Sequence, residues 1–140
     1  MGPLDVIIVG AGAAGLMAAV SAGRMGKRVL LLDGNDRPAR KVLITGKGRC
    51  NVTNNCDLDT LLAHIPQNPR FLYAAFAAFS PADTMAFFEE AGVPLKTERG
   101  NRVFPVSDQA RDIAGALWRE AKAAGAKLLQ GKVTELVMEK

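Results

Sequence analysis

An α/β fold with a parallel, doubly wound sheet is predicted by three features of this 140-residue chain. An apolar run, Asp5–Val9, enters a glycine-rich turn; an alanine-rich helical stretch follows; and a second apolar run, Val29–Leu32, closes on Asp33. Strand, helix and strand over about thirty residues form a βαβ unit, whose crossover makes the two strands parallel.

Each part of this unit has a distinct physical role. Asp5–Val9 reads as a buried strand. Gly10, Gly12 and Gly15 fit G-x-G-x-x-G: the first permits a sharp turn out of the strand, the second leaves no Cβ facing a pyrophosphate, and the third lets helix and strand pack closely. Ala13 and Ala14 then open the helix, whose free N–H groups and positive dipole end favour phosphate. Ala19 and Ala22 keep the face toward the sheet small, and Gly26 is placed to end the helix in a left-handed cap. Asp33 lies 18 residues beyond Gly15, where a carboxylate can accept hydrogen bonds from an adenosine ribose and would repel a 2′-phosphate. A structural tight turn is the alternative to a nucleotide site.

From Gly34 to Asp59 the chain reads as a long loop rich in Gly, Asn, Asp and basic residues, with a short apolar run at Val42–Thr45. A helix is expected over Pro69–Phe79, carrying Leu72, Ala75, Phe76 and Phe79 on one face. A second starts at Ser80-Pro81-Ala82-Asp83, a cap with proline at the first helical position, and stops at Gly92. Val93–Lys96 and Arg102–Phe104 read as a hairpin. From Ser107 the helical period returns, with Ala110, Ile113, Ala114, Leu117, Trp118, Ala121 and Ala124 on a core-facing stripe. Lys127–Gln130 then supplies a third parallel strand, and Lys132–Met138 alternates like a half-exposed strand. In the order 3-2-1-4 these segments give strands three, two and one, and the sheet is expected to be incomplete at its C-terminus for want of strand four.

Composition bounds the partners. The chain is 49% hydrophobic, 6% aromatic and carries a net charge of +4, with no apolar run expected to reach the roughly 20 residues of a membrane helix. The basic residues are scattered and not interleaved with aromatics, so nucleic acid is not expected as a partner. Cys50 and Cys56 lack metal spacing and are expected to be reduced cytoplasmic thiols. His64 has no partner for metal or proton transfer, and no serine sits in G-x-S-x-G.

Three blocks carry a family resemblance. Residues 1–33, including Ala19 and Gly26, resemble the FAD-binding fingerprint of the two-dinucleotide-binding-domain flavoproteins. RKVLITGKGRCNVTN (Arg40–Asn54) and ERGNRVFPVSDQA (Glu98–Ala110) look like the signature segments of the BaiN-like, or aminoacetone-oxidase-like, bacterial flavoproteins. The resemblance covers the whole chain and implies a Rossmann-like FAD-binding half, here a single domain over 1–140: fingerprint 5–33, cofactor loop 34–58, helical and hairpin insert 59–106, crossover helix and strands 107–140. It implies that Gly10, Gly12, Ala13, Ala14, Gly15 and Asp33 hold the ADP half of FAD, and that Arg40 and Lys41 approach its ribose or phosphates. It further implies that Gly46, Lys47, Gly48, Arg49, Cys50 and Asn51 pass the pyrophosphate and flavin, and that Lys132 and Val133 meet the adenine. The residue types agree: Gly46 and Gly48 allow close approach, Lys47 and Arg49 supply charge, and Asn51 an amide.

The function expected is a flavin-dependent oxidoreductase segment working through hydride transfer by bound FAD, on a small-molecule substrate and with NAD(P)H as a candidate reductant. No metal is expected, and no residue is assigned as acid, base or nucleophile. A non-catalytic nucleotide-binding module, or a truncated fragment inactive by itself, is the alternative; an NAD-dependent dehydrogenase is the third.

Overall fold

The computed structural model describes residues 2–139, which fall into two compact units: residues up to Val42 together with those from Leu117 on, and Leu43–Ala116. In the first unit β1 (Val6–Val9), α1 (Ala13–Arg24) and β2 (Val29–Asp33) form the βαβ unit. β1 pairs in parallel with β2, Val6 opposite Val29 and Val9 opposite Leu32. β2 in turn pairs in parallel with the last strand of the chain, Lys127–Gln130. The sheet order places β2 in the middle, which is the three-two-one half of a doubly wound sheet. Leu16, Ala19 and Val20 of α1 and Val29, Leu30 and Leu31 of β2 form its core, with Leu117 and Ala121.

Two expectations about this sheet are corrected. β1 is a strand but not a buried one: Ile7 is 56% and Val9 60% exposed, both on one face of the sheet, while Val6 and Ile8 on the alternate face are half-buried, Ile8 close to α1 at Gly15. Lys132–Met138 forms no strand. Gly131 N–H donates to the Asp33 carbonyl at 2.8 Å and the chain then leaves the sheet, with Leu136, Val137 and Met138 exposed; alternation without a ladder partner does not make a strand.

The second unit is built on a three-stranded antiparallel sheet. Its strands are β3 (Thr53–Asn54), β4 (Leu95–Glu98) and β5 (Arg102–Pro105), with β5 central. β4 and β5 are the expected hairpin, closing with Glu98 opposite Arg102. β3 falls inside the segment expected as loop, and is a strand because Thr53 pairs with Val103. Three helices lie between β3 and β4: α2 (Leu58–Ala63), α3 (Tyr73–Ala78, entered by a 3-10 turn over Pro69–Leu72) and α4 (Pro81–Glu90). α4 starts as the sequence predicts, with a reciprocal capping box between Ser80 and Asp83. Pro69–Glu90 is, by length and composition, apolar enough to cross a membrane, against the expectation above. It is nevertheless three helical pieces, interrupted where Phe79 leaves helical geometry (φ −142°, ψ 89°) ahead of the Ser80 cap.

α5 (Ala110–Ala123) carries the predicted stripe, with Ala110, Ile113, Ala114, Leu117 and Ala121 buried. Trp118 is only half-buried, and Lys122 Nζ stands 5.3 Å from its ring centroid. The final strand, Lys127–Gln130, is β6.

Candidate functional site

In the first unit the glycines take the geometry their spacing predicts. Gly10 has φ +98°, a region glycine enters without the Cβ penalty, and its N–H donates to the Leu32 carbonyl at 2.7 Å. A Cβ on Gly15 would lie 1.9 Å from the Gly10 carbonyl oxygen, so α1 crosses β1 at a distance only glycine permits. Gly12 differs: nothing lies within 4 Å of where its Cβ would be. It is the N-cap of α1, no side chain caps that end, and the first turn has no acid. The leading N–H groups at Ala13, Ala14 and Gly15 have no intrahelical partner, so open space adjoins an electropositive, uncapped helix end.

Asp33 stands beside this cradle. Its Oδ2 accepts from Ala11 N–H at 2.6 Å, while Oδ1 accepts from Asn35 N–H at 2.7 Å and from Asn35 Nδ2 at 3.0 Å. These amides, Asn35 first and then Ala11, hold the carboxyl below its ordinary range, so it is charged at neutral pH. A carboxylate accepts roughly four hydrogen bonds, and three are used. The remaining capacity suits one ribose hydroxyl. Arg40 Nη1 donates to Asn35 Oδ1 at 2.9 Å, and Ala39 N–H donates to the Ala11 carbonyl at 2.7 Å, tying the segment after β2 to the fingerprint. Ala39 is buried with φ +56°. Lys41 is exposed in the same segment.

In the second unit, Gly46–Cys50 departs from ordinary backbone. Gly46 (+54°), Lys47 (+55°), Gly48 (+83°) and Cys50 (+59°) all have left-handed φ. A Cβ on Gly46 would be 2.7 Å from Asn51 N and 3.4 Å from the edge of the Phe104 ring. Arg49 N–H donates to the Gly46 carbonyl and Cys50 N–H to that of Thr45.

The side chains of this loop point to different tasks. The Arg49 guanidinium lies over buried Phe104, 4.0 Å from its centroid. Nε and Nη2 donate to Asp108 Oδ1 at 2.9 and 2.7 Å, and Nη2 also donates to Glu98 Oε2. Lys96 Nζ bridges the same carboxylates, 2.9 Å from Asp108 Oδ2 and 3.3 Å from Glu98 Oε2. Arg49 first depresses the Glu98 carboxyl, and Lys96 first that of Asp108. With its amide oriented by its neighbours, Asn51 Nδ2 donates to the carbonyls of Thr53 at 3.0 Å and Val103 at 3.2 Å. Cys50 is buried, and burial raises its thiol; it is a small core residue here. Lys47 and Gly48 are exposed. Val133, assigned to an adenine-contacting strand, is half-buried in the unpaired segment after Gly131. His64 is exposed, with Nδ1 2.8 Å from the Thr60 carbonyl oxygen.

Sequence reasoning missed Glu98, Asp108 and Lys96. The first two stand in the ERGNRVFPVSDQA block, yet nothing local couples them to Arg49, 49 and 59 residues away.

Comparison with known proteins agrees with this geometry. Residues 4–140 match the model of the HI0933-like protein Rossmann domain. The chain is 37% identical over 118 residues to the ribosomal RNA dihydrouridine synthase of Escherichia coli (strain K12), covering 84% of this chain and 29% of the relative. It is 33% identical over 126 residues to the 3-dehydro-bile acid delta(4,6)-reductase of Clostridium scindens, covering 89% of this chain and 30% of the relative. A flavocytochrome c3 fumarate reductase in its open conformation superposes over 91% of this chain and 26% of its own, with TM-score 0.67 and 21% identity, which is a likeness of fold. The chain thus spans under a third of these curated relatives. A fingerprint with its cradle open, and a family match that runs from the first strand to the last residue, assign this chain to the HI0933-like Rossmann-domain family.

Proposed function

We propose that this chain is the FAD-binding segment of a flavin-dependent oxidoreductase. The observation that carries the reading is the open space at Gly12, bounded by an uncapped helix end and by the charged Asp33 carboxylate. Bound FAD supplies hydride transfer. The chain's own residues bind and orient: the N–H groups of Ala13, Ala14 and Gly15 take the pyrophosphate, Asp33 accepts a ribose hydroxyl, and Arg40 lends charge near the phosphates. Gly46–Asn51 meets the cofactor through its exposed residues Gly46, Lys47, Gly48 and Asn51, and Val133 is the residue this reading assigns to the adenine. In this reading the protein is cytoplasmic, consistent with free Cys50 and Cys56.

The segment is similar both to a relative named for ribosomal RNA and to one named for a bile acid. Similarity to relatives named for such different substrates supports reading this segment as the part that binds the cofactor. A small molecule is the substrate this reading favours, with NAD(P)H as electron donor. The 37% identity to the dihydrouridine synthase supports RNA as the second reading, separable by salt-dependent RNA binding, since phosphate contacts weaken steeply with salt.

The test is flavin content. The full-length protein is expected to purify yellow with FAD, and Gly12→Val to fold and purify colourless, because a branched side chain fills the cradle. FAD retained at the normal level in Gly12→Val removes the proposal; a normal protein that takes up nucleotide but no flavin favours the non-catalytic module.

A further inference from the structure

We propose that Asp108 and Glu98 are positioning residues for the cofactor loop: gripping the Arg49 guanidinium at Nε and Nη2, they hold Gly46–Asn51 in the left-handed form that meets FAD. The inference rests on the loop assignment made above and adds the residues that act on it from outside.

The backbone poses the problem they solve. Lys47 and Cys50 have left-handed φ, which a side chain with a Cβ resists, and such conformations persist only where their surroundings over-determine them. Within the loop, two backbone hydrogen bonds close the turn. Further ties come from β4, β5 and the turn ahead of α5. Phe104 on β5 supports both Gly46 and the Arg49 guanidinium. Asp108 takes Nε and Nη2 through one oxygen, and Glu98 takes Nη2. A planar fork held in this way cannot rotate, a constraint a point charge cannot supply.

Lys96 completes the arrangement. Two carboxylates converging on one guanidinium repel each other, and Lys96 Nζ lies between them, within 3.3 Å of both. The four groups sum to zero charge. Both carboxyls lie below their ordinary range, so the grip is intact at neutral pH. With Nε and Nη2 engaged, Arg49 works from behind the loop, whose Gly46, Lys47, Gly48 and Asn51 are exposed.

The experiment uses the full-length protein with Asp108→Asn and Glu98→Gln, which remove charge at nearly constant volume, and Asp108→Glu, which keeps it. Amide hydrogen exchange over Lys47–Asn51 in flavin-free protein reads the loop directly; titration with FAD reads the consequence. Exchange is expected to accelerate about tenfold, and the FAD Kd to rise about tenfold, in both neutral variants. Asp108→Glu is expected to recover both to within about threefold. Unchanged exchange in both neutral variants overturns the proposal, and so does faster exchange with an unchanged Kd, which would show a gripped loop that does not meet the cofactor. If Asp108→Asn fails to fold, Glu98→Gln decides alone. A normal protein that binds no FAD overturns the functional reading itself, an outcome distinct from normal FAD binding that the variants leave unaltered.

Discussion

The guanidinium of Arg49 stacks on the ring of Phe104 at 4.0 Å. Arg49, a basic residue of the proposed cofactor loop, is therefore laid onto a buried aromatic, with Glu98 and Asp108 accepting from its Nε and Nη2. A flat, weakly hydrated cation suits this place; an ammonium does not. Arg49→Lys keeps the charge but loses the stacking and the paired donation to Asp108. It is expected to raise the FAD Kd and to speed exchange of the loop amides, with Arg49→Ala worse and Lys47→Ala mildest, because Lys47 is exposed. Flavin titration of the three variants checks the order, and equal, normal affinities would return the loop to a solvated connector.

Local chemistry explains why much of this was readable from sequence. Gly10 and Gly15 are dictated by contacts within the βαβ unit itself, and Ser80 with Asp83 closes a box three residues wide. The α5 stripe follows a single period. What was not readable depends on partners distant in the chain. Ile7 and Val9 belong to the same apolar run whether or not another element covers their face of β1, so burial of that strand could not be inferred. Lys132–Met138 alternates, but a strand exists only where another donates to it. Thr53–Asn54, two polar residues in a polar loop, become a strand only because Val103 and Arg102 lie opposite.

The pair Asp5 and Arg28 gives the first unit an acid-sensitive tie. Arg28 donates to Asp5 through Nε and Nη2 at 3.0 Å each and through its backbone N–H at 2.8 Å. These bonds lower the Asp5 carboxyl from 3.8 to about 2. A carboxyl lowered on folding stabilises the folded state fully above its unfolded value and loses that contribution as pH falls through its folded value. The tie is thus complete above about pH 4 and gone below about pH 2. Urea unfolding of Asp5→Asn should show lower stability than the parent at pH 6 and converge with it near pH 2; a difference that persists at pH 2 contradicts the assignment.

Gly12 and Gly15 are expected to fail in opposite ways. At Gly15 an added methyl meets the Gly10 carbonyl oxygen at 1.9 Å, an overlap that α1 can relieve only by moving off β1. Overpacking of this kind typically costs about 1–3 kcal/mol. At Gly12 the methyl enters empty space, and Gly12 is at negative φ, −79°. Gly15→Ala should therefore lower the melting temperature of flavin-free protein, whereas Gly12→Ala should leave it unchanged and weaken FAD. A stability loss in Gly12→Ala equal to that in Gly15→Ala would mean that the space at Gly12 is not a ligand cradle.

In the proposed cofactor site Asp33 acts by two routes that a single substitution does not separate. Its carboxylate organises the fingerprint by accepting from Ala11 N–H, and it retains capacity for a ribose hydroxyl. Asp33→Ala removes both, and is expected to weaken FAD about ten- to a hundredfold, the range for a lost charge-assisted hydrogen bond. Repeating the titration with an FAD analogue lacking the adenosine 2′-hydroxyl closes a cycle that isolates the direct contact. If Asp33 meets the ribose, the analogue binds the normal protein less tightly than FAD does, and in Asp33→Ala the two ligands bind alike. If the same preference for FAD survives in Asp33→Ala, the carboxylate acts only through Ala11, and another group holds the ribose.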